Sequence, residues 1–151
     1  MIKVQINDSM RVKAKQHAIQ DKERHGFNKS CSFVNDKNRF LGSLGEEIVS
    51  SYFKTPLDNN TDYDIILNNE RVEIKSQGLN VDYVSKEFKA HTIKLCSNCD
   101  KYMFVIIHNS FNHAWIVGQI DREKFNSTCT RERFKDTLEY IISLSELEEI
   151  A

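Results

Sequence analysis

The chain has 151 residues, of which 40% are hydrophobic and 28% are charged, and its formal net charge at pH 7 is −1. This length and composition are typical of one globular domain with a sizeable core. No apolar run approaches the ~20 residues of a membrane-spanning helix, and residues 1–15 lack the apolar core of a signal peptide, so we expect a cytoplasmic protein without membrane contact.

A short strand and a long helix are predicted at the start of the chain. Residues 1–6 have the composition of a short strand. Asp8 or Ser9 can cap a helix that follows it, and Gly26 is placed to end that helix. Residues 27–35 then read as a loop.

The distribution of charge is more informative than its sum. Residues 1–40 hold nine Lys/Arg against four Asp/Glu, whereas residues 136–151 hold five acids and no base. A cationic stretch can follow nucleic-acid phosphates, and His17 and His25 could add phosphate contacts. A solvated helix is the more common reason for such a pattern. We interpret residues 1–35 as an N-terminal basic helical arm.

A second helix is predicted over residues 36–53, with Pro56 beyond its end. Its apolar residues recur at helical spacing. The main stripe consists of Leu41, Leu44, Ile48 and Tyr52. Gly45 lies within the apolar arc, where it costs about 1 kcal/mol of helix propensity but lets the helix backbone approach a sheet closely.

Two glutamates follow Gly45 in this helix. On a helical wheel Glu46 borders the apolar arc, whereas Glu47 points further toward solvent. Glu46 is therefore the better candidate to reach a functional site on the sheet. The alternative is that both are ordinary first-turn glutamates favoured by the helix dipole.

The most informative stretch of the sequence reads as a β-hairpin. Residues 63–67 are aromatic and β-branched, and Asn68 and Asn69 suit a two-residue turn because Asn tolerates positive φ. Residues 71–77 alternate in character, as in a strand with one buried face. One face carries Arg71, Glu73, Lys75 and Gln77, and the other carries Val72 and Ile74.

The register of the hairpin follows from its turn. If the turn has two residues, Leu67 pairs with Glu70, and Asp64 falls opposite Glu73. Directly opposed like charges destabilise a sheet. A bound cation would remove that cost, so the pairing predicts a cation site.

Carboxylates without His or Cys suit hard cations such as Mg²⁺ or Mn²⁺. Such an ion can polarise a phosphate, lower the pKa of a bound water and steady a leaving oxygen. Lys75 beside the ion could orient or deprotonate the water, or stabilise charge that builds on phosphorus. The alternative is a hairpin whose polar face is simply solvated.

The rest of the chain is predicted to alternate strands and helices. Residues 79–100 are polar and irregular. The later elements are a central strand at 101–108, a turn at 109–112, a strand at 113–120, helices at 121–126 and 130–137, an edge strand at 139–143 and a helical turn at 144–150. This order predicts an α/β sandwich, with a mixed central β-sheet flanked by helices.

These motifs resemble the PD-(D/E)XK nuclease superfamily. The resemblance rests on Gly42-Ser43-Leu44-Gly45-Glu46, Tyr63-Asp64-Ile65-Ile66 and Val72-Glu73-Ile74-Lys75-Ser76-Gln77, and it spans about residues 40–120. It implies a restriction-endonuclease-like core at residues 36–120 of a single domain spanning 1–151, followed by C-terminal helices and an edge strand at 121–151. It also implies Mg²⁺, which Mn²⁺ can replace, no small-molecule cofactor, and DNA as the partner.

The resemblance assigns a role to each position. Asp64 resembles the first metal-binding aspartate and Glu73 the second acidic ligand. Lys75 resembles the catalytic lysine, and the backbone carbonyl of Ile74 resembles a further metal ligand. Glu46 resembles the helix glutamate that many members use on the metal directly or through water.

Three further positions bear on the resemblance. Gln77 matches a polar position that often lines the site. Tyr63 stands where the motif's name has a proline, which is often missing in this superfamily. Asp62 competes for the role of first acid. Asp64 is preferred because it directly precedes the apolar run and faces Glu73 in the predicted register.

The implied activity is that of a Mg²⁺-dependent deoxyribonuclease. We expect an endonuclease that acts in DNA repair, recombination or the processing of phage or mobile-element DNA. A homodimer would present two active sites to two strands. The alternative is a non-catalytic nucleic-acid-binding module that retains the nuclease fold, and the intact Asp64, Glu73 and Lys75 favour the catalytic interpretation.

The cysteines offer a third hypothesis. Cys96 and Cys99 form a lone CxxC motif, with Cys31 and Cys129 distant in sequence and His91 nearby. Four such ligands could form a structural zinc site in an interaction protein. A strong zinc signal needs a second closely spaced pair, so we expect reduced thiols.

The remaining conspicuous side chains have ordinary interpretations. His108 and His113 flank the turn between two predicted strands and are expected at the surface. Trp115 lies in an apolar strand, so we expect it in the core rather than as a platform for a base.

Overall fold

The computed structural model describes residues 1–25, 36–58 and 62–150. Within these residues the chain forms eight strands, three helices and a short 3₁₀ turn. In chain order they are β1 (Ile2–Gln5), α1 (Asp8–His25), α2 (Asp36–Phe53), β2 (Ile65–Leu67), β3 (Glu70–Leu79), β4 (Lys89–Thr92), β5 (Lys101–His108), β6 (His113–Asp121), α3 (Arg122–Thr128), β7 (Thr130–Phe134), β8 (Thr137–Ser143) and the 3₁₀ turn (Leu144–Glu146).

Two sheets form the framework. The larger sheet has the order β1-β6-β5-β3-β2, and the smaller has the order β4-β8-β7. In the larger sheet β3 and β5 are parallel, and all other neighbours are antiparallel. The predicted α/β class with a mixed central sheet is therefore confirmed.

The apolar residues of β5 show where the core lies. Met103, Val105 and Ile107 face one cluster, which also contains buried residues of α1 and α2. Tyr102, Phe104 and Ile106 face a second cluster, with buried residues of α3, β4 and β8. Burial on both faces explains why β5 reads as a continuous apolar run, and β5 is central, as predicted.

The first helix is capped one residue earlier than predicted. The side chain of Asn7, not Asp8 or Ser9, caps α1, because Asn7 Oδ1 accepts a hydrogen bond from the backbone N–H of Met10 at 2.9 Å. The helix extends to His25. The predicted stop at Gly26 and the loop after it lie outside the described residues.

The second helix has the predicted bounds but buries a different set of side chains. Leu41, Leu44 and Ile48 are buried as predicted, whereas Tyr52 is 46% exposed. Glu47, predicted to point toward solvent, is only 6% exposed. The wheel was wrong at Glu47 because it considered packing against a sheet alone, and α1 packs extensively on α2.

The C-terminal segment contains a hairpin where a helix was predicted. The helix predicted at 121–126 is present as α3, but residues 130–137 form β7 and a turn in place of a helix. Arg and Glu favour helices, yet β7 is exposed at every residue, so it has no apolar stripe for a helix to bury. Its pairing with β8 stabilises the strand instead.

Two smaller outcomes complete the fold. The predicted late strand is present as β8, but it lies between β4 and β7 and is not an edge strand. In the part of the chain that the structure describes, none of the helices combines the length and apolar character needed to cross a membrane.

Candidate functional site

The predicted hairpin register is confirmed. Leu67 pairs with Glu70 and Ile65 with Val72. Asn68 and Asn69 form the turn with φ of 52° and 65°, the left-handed values that a two-residue type I′ turn requires. The regular pairing ends at Ile65, because Asp64 N–H donates at 3.0 Å to the carbonyl of Val72, the residue already opposite Ile65. The predicted pairing of Asp64 with Glu73 is therefore not a step of the ladder.

Asp64 is fixed against the neighbouring strand. Its Oδ2 accepts a hydrogen bond from the backbone N–H of Ile74 at 2.6 Å. This bond holds the carboxylate over β3, one residue from Glu73. The competing candidate Asp62 is exposed, and its Oδ2 accepts a hydrogen bond from Asn98 at 3.0 Å. Asp64, not Asp62, is therefore the acid that the hairpin places beside Glu73.

Glu73 and Lys75 lie on one face of β3, as alternation predicted. Lys75 Nζ lies 2.6 Å from Glu73 Oε1, and the two side chains are only 15% and 17% exposed. Val72 and Ile74 are buried in the cluster beneath α2. The strand therefore presents an ion pair on one side and anchors itself with apolar residues on the other.

The helix that carries Glu46 packs closely on β3, as Gly45 predicted. A Cβ added at Gly45 would overlap Ser76 Oγ and lie 2.9 Å from Ser76 Cβ. No residue with a side chain fits this contact without a shift of the strand or the helix. Gly45 therefore sets the distance between the backbone of α2 and the strand that carries Glu73 and Lys75.

Burial and neighbouring acids raise the pKa values of Glu46 and Asp64. Burial raises the pKa of Glu46 well above its ordinary value, and repulsion from Asp64 and Glu73 raises it further. Burial and then repulsion from Glu73 raise the pKa of Asp64 to about 7. The cation of Lys75 opposes both pKa shifts. Three carboxyl groups thus share a partly buried region that carries too little positive charge to keep all of them ionised.

Lys94 is a cation near the site that the sequence did not indicate. Its positive charge lowers the pKa of Asp64, in the same direction as Lys75. Lys94 lies in the irregular segment after β4. The sequence carried no signal for it, because its distance from Asp64 depends on how that segment folds back.

Gln77 has partners that the sequence analysis did not foresee. Its Nε2 donates to the Lys89 carbonyl at 2.9 Å, and its Oε1 accepts from the His91 N–H at 2.9 Å. Gln77 therefore joins β3 of the larger sheet to β4 of the smaller one. It shares a face with Lys75, but both ends of its amide bind backbone.

Glu47 has a partner on the first helix. His17 Nδ1 lies 3.2 Å from Glu47 Oε1. This contact joins α1 to α2 at a position where Glu47 is buried. Glu47 therefore contacts α1, whereas the pKa of Glu46 is influenced by Asp64 and Glu73 and also by Asp21 of α1.

The described cysteines do not assemble a metal site. Cys96, Cys99 and Cys129 are free thiols, and Cys31 lies outside the described residues. Burial raises the pKa of Cys99 to about 12. Across residues 1–25, 36–58 and 62–150, no group of three or more His, Cys, Asp and Glu side chains is arranged to hold a metal ion as it stands.

The histidines of the β5–β6 turn lie far along the sheet from the hairpin. His108 and His113 stack with their ring centroids 4.7 Å apart. Burial is the main cause that lowers the pKa of His113. Trp115 is 5% exposed and belongs to the core, as predicted.

Comparisons with known proteins assign no family to this chain. No family model matches the sequence, and no curated protein matches it.

Proposed function

We propose that this protein is a Mg²⁺-dependent deoxyribonuclease with a restriction-endonuclease-like core. The observation that supports the proposal is the position of Asp64, whose carboxylate binds the Ile74 N–H at 2.6 Å, next to the Glu73–Lys75 pair with its 2.6 Å contact. Burial and mutual repulsion raise the pKa of Glu46 and of Asp64. Neighbouring carboxylates without a bound cation destabilise a fold. In a site that binds a cation and a phosphate, the same carboxylates are the ligands of the cation.

The donor set fits Mg²⁺, with Mn²⁺ as a substitute. Asp64, Glu73 and Glu46, with the backbone carbonyl of Ile74, would supply the hard oxygen ligands that such ions prefer. When bound, the ion supplies polarisation of the phosphate and a lower pKa for an attacking water. Glu73 shares its Oε1 with Lys75 at 2.6 Å, so its use as a ligand requires this pair to loosen.

Lys75 is the residue we assign to the reacting phosphate. Its ammonium is held on a rigid strand, because the neighbouring residues of β3 pair with β5 on one side. An ammonium in that position can orient a water and stabilise the charge that builds on the phosphate oxygens. Release from Glu73 would leave Lys75 available for this role at the moment Glu73 binds the ion.

The substrate and setting follow from the same proposal. We assign DNA as substrate and an endonuclease mode of cleavage, in repair, recombination or mobile-element processing. A homodimer would offer two such sites to two strands.

A cleavage assay with matched variants tests the proposal. Supercoiled, branched and single-stranded DNA are incubated with the protein in Mg²⁺, Mn²⁺ or EDTA. We expect cleavage only with a divalent ion, and a loss of at least about 100-fold in Lys75→Ala and Asp64→Asn. Lys124→Ala and Asp136→Asn change exposed residues elsewhere and should cleave normally. Absence of cleavage by the folded wild type on all substrates would remove the enzymatic interpretation.

A non-catalytic nucleic-acid-binding module is the second candidate. Two observations favour it: Glu73 is already neutralised by Lys75, and no three-ligand group is arranged in the described residues. Calorimetric titration with Mn²⁺ separates the two candidates. Binding that disappears in Asp64→Asn supports the nuclease, whereas no binding to the wild type supports the module.

A further inference from the structure

A groove of about 450 Å³ lies beside the proposed site and is not used by it. It runs between the end of β3, the segment before β4, and the smaller sheet. Its apolar walls are Leu79, Val81 and Phe88, and its polar walls include Lys89 and His91. This volume lies within the range of sites that take small ligands.

An exposed aromatic side chain, Tyr83, contacts Phe88 of the groove wall without itself lining the groove. Tyr83 is 69% exposed, the largest exposed fraction among the large hydrophobic side chains of the described residues. Its ring centroid lies 6.2 Å from that of Phe88, with the planes tilted by 38°. The two rings therefore give a planar ligand one solvent-facing surface and one surface inside the groove.

The polar wall of the groove favours an anion. Lys89 is exposed, and none of the ion pairs between described residues includes it. Glu139, the acid that lines the groove, is paired with His91 at 3.1 Å. The combination of a planar apolar surface with an unpaired ammonium is the chemistry that recognises a nucleotide.

The groove begins only a few residues along β3 from Lys75. Lys75, Gln77 and Leu79 lie at alternate positions of one strand and share a face. At about 3.3 Å per residue, Gln77 and Leu79 lie roughly 7 and 13 Å along β3 from Lys75. A strand of duplex DNA rises about 3.4 Å per nucleotide, and an unpaired strand can be more extended, so that distance spans at most roughly two to four nucleotides.

We propose that this groove binds an unpaired nucleotide of a single-stranded segment, close to the phosphodiester that Lys75 addresses. The base stacks on Tyr83 and Phe88, and Lys89 contacts a phosphate. Both ends of the Gln77 side-chain amide are hydrogen-bonded to β4, so Gln77 is not available to hydrogen-bond the edge of the base. The groove therefore holds the base by stacking. The inference rests on the proposed nuclease function, and it specifies DNA with an unpaired stretch as the substrate.

Binding in EDTA tests the groove without cleavage. A short fluorescein-labelled oligothymidylate is titrated with full-length protein, and anisotropy gives the Kd. Stacking of one base contributes enough that Tyr83→Ala should weaken binding by about 5- to 100-fold. Tyr83→Phe keeps the ring and should bind like the wild type. Tyr52→Ala removes another exposed aromatic residue, on the α2 side of the sheet, and should have no effect.

Two competition arms identify the source of the nucleotide. A blunt duplex should compete poorly, and Lys89→Ala should reduce the salt dependence of binding. Equal competition by the duplex, or by thymidine monophosphate at the same nucleotide concentration, would overturn the assignment to a strand. Wild-type affinity in Tyr83→Ala would overturn the groove itself.

The outcome is independent of catalysis. If strand binding depends on Tyr83 but no cleavage is seen, the proposed nucleotide site is supported and the proposed nuclease activity is rejected. If cleavage is metal-dependent but Tyr83→Ala binds like the wild type, the proposed nuclease activity is supported and the proposed nucleotide site is rejected.

Discussion

The contact between α2 and β3 gives a sharp test of how the site is built. A Cβ at Gly45 would overlap Ser76 Oγ and lie 2.9 Å from Ser76 Cβ. Overpacking costs about 1–3 kcal/mol, and we take the upper end because the obstacle sits at the root of a strand side chain. The higher helix propensity of Ala offsets about 1 kcal/mol of that loss in the free energy of unfolding. We therefore expect Gly45→Ala to lower the free energy of unfolding by about 2 kcal/mol.

The same helix supplies the control. A Cβ at Gly42 would meet nothing within 4 Å, so Gly42→Ala should raise the free energy of unfolding by about 1 kcal/mol through propensity alone. Urea denaturation, followed by the fluorescence of the buried Trp115, measures both variants. If Gly45→Ala stabilises the protein as Gly42→Ala does, the close packing of α2 on β3 is refuted.

A double-mutant cycle identifies the obstacle. Ser76 Oγ is buried and has no hydrogen-bond partner among the described residues, so Ser76→Ala should cost little by itself. Combined with Gly45→Ala, it removes the nearest clashing atom and should restore part of the lost stability. Strict additivity of the two changes would show that Ser76 is not what Gly45 accommodates.

Two other predictions concern Asp64 and Gln77. The pKa of the Asp64 carboxyl rises on folding from 3.8 to about 7, so its contribution to stability is present at low pH and is lost as the pH rises through that interval. Asp64→Asn should therefore stabilise the protein more at pH 8 than at pH 5, by about 1 kcal/mol or more; a difference in denaturation midpoint that is constant with pH would contradict this. Gln77→Ala removes two hydrogen bonds to β4 and should lower the free energy of unfolding by about 1–3 kcal/mol, with faster hydrogen exchange at the His91 amide; unchanged exchange would show that Gln77 does not hold β4.

The local features of the site could be predicted from the sequence. The Asn68-Asn69 turn fixes the register of the hairpin, because the φ values it needs are available to Asn at low cost. That register brings Asp64 next to β3, where its backbone bonds to Val72 and its carboxylate bonds to the Ile74 N–H. Gly45 could likewise be interpreted in advance, since a glycine inside an apolar arc has few reasons other than close packing.

The features that depend on tertiary partners could not be predicted. Burial of Glu47 requires α1 to pack on α2, and a helical wheel holds no information about that neighbour. The segment 130–134 has helix-forming residues and becomes a strand only through its pairing with β8. The bonds of Gln77 to β4 depend on a second sheet that the sequence analysis did not foresee.

The position of β1 has a consequence for how the protein folds. Ile2 pairs with Ile116, and Gln5 with His113, so the first strand joins a partner more than a hundred residues later in the chain. At 5–20 residues per second of synthesis, β1 waits roughly 6 to 20 s for that partner to leave the ribosome. The hairpin with Asp64 and Glu73 closes over only a few residues and can form early, whereas the sheet that supports it is complete only after β1 pairs with β6, a contact of large sequence separation that slows folding.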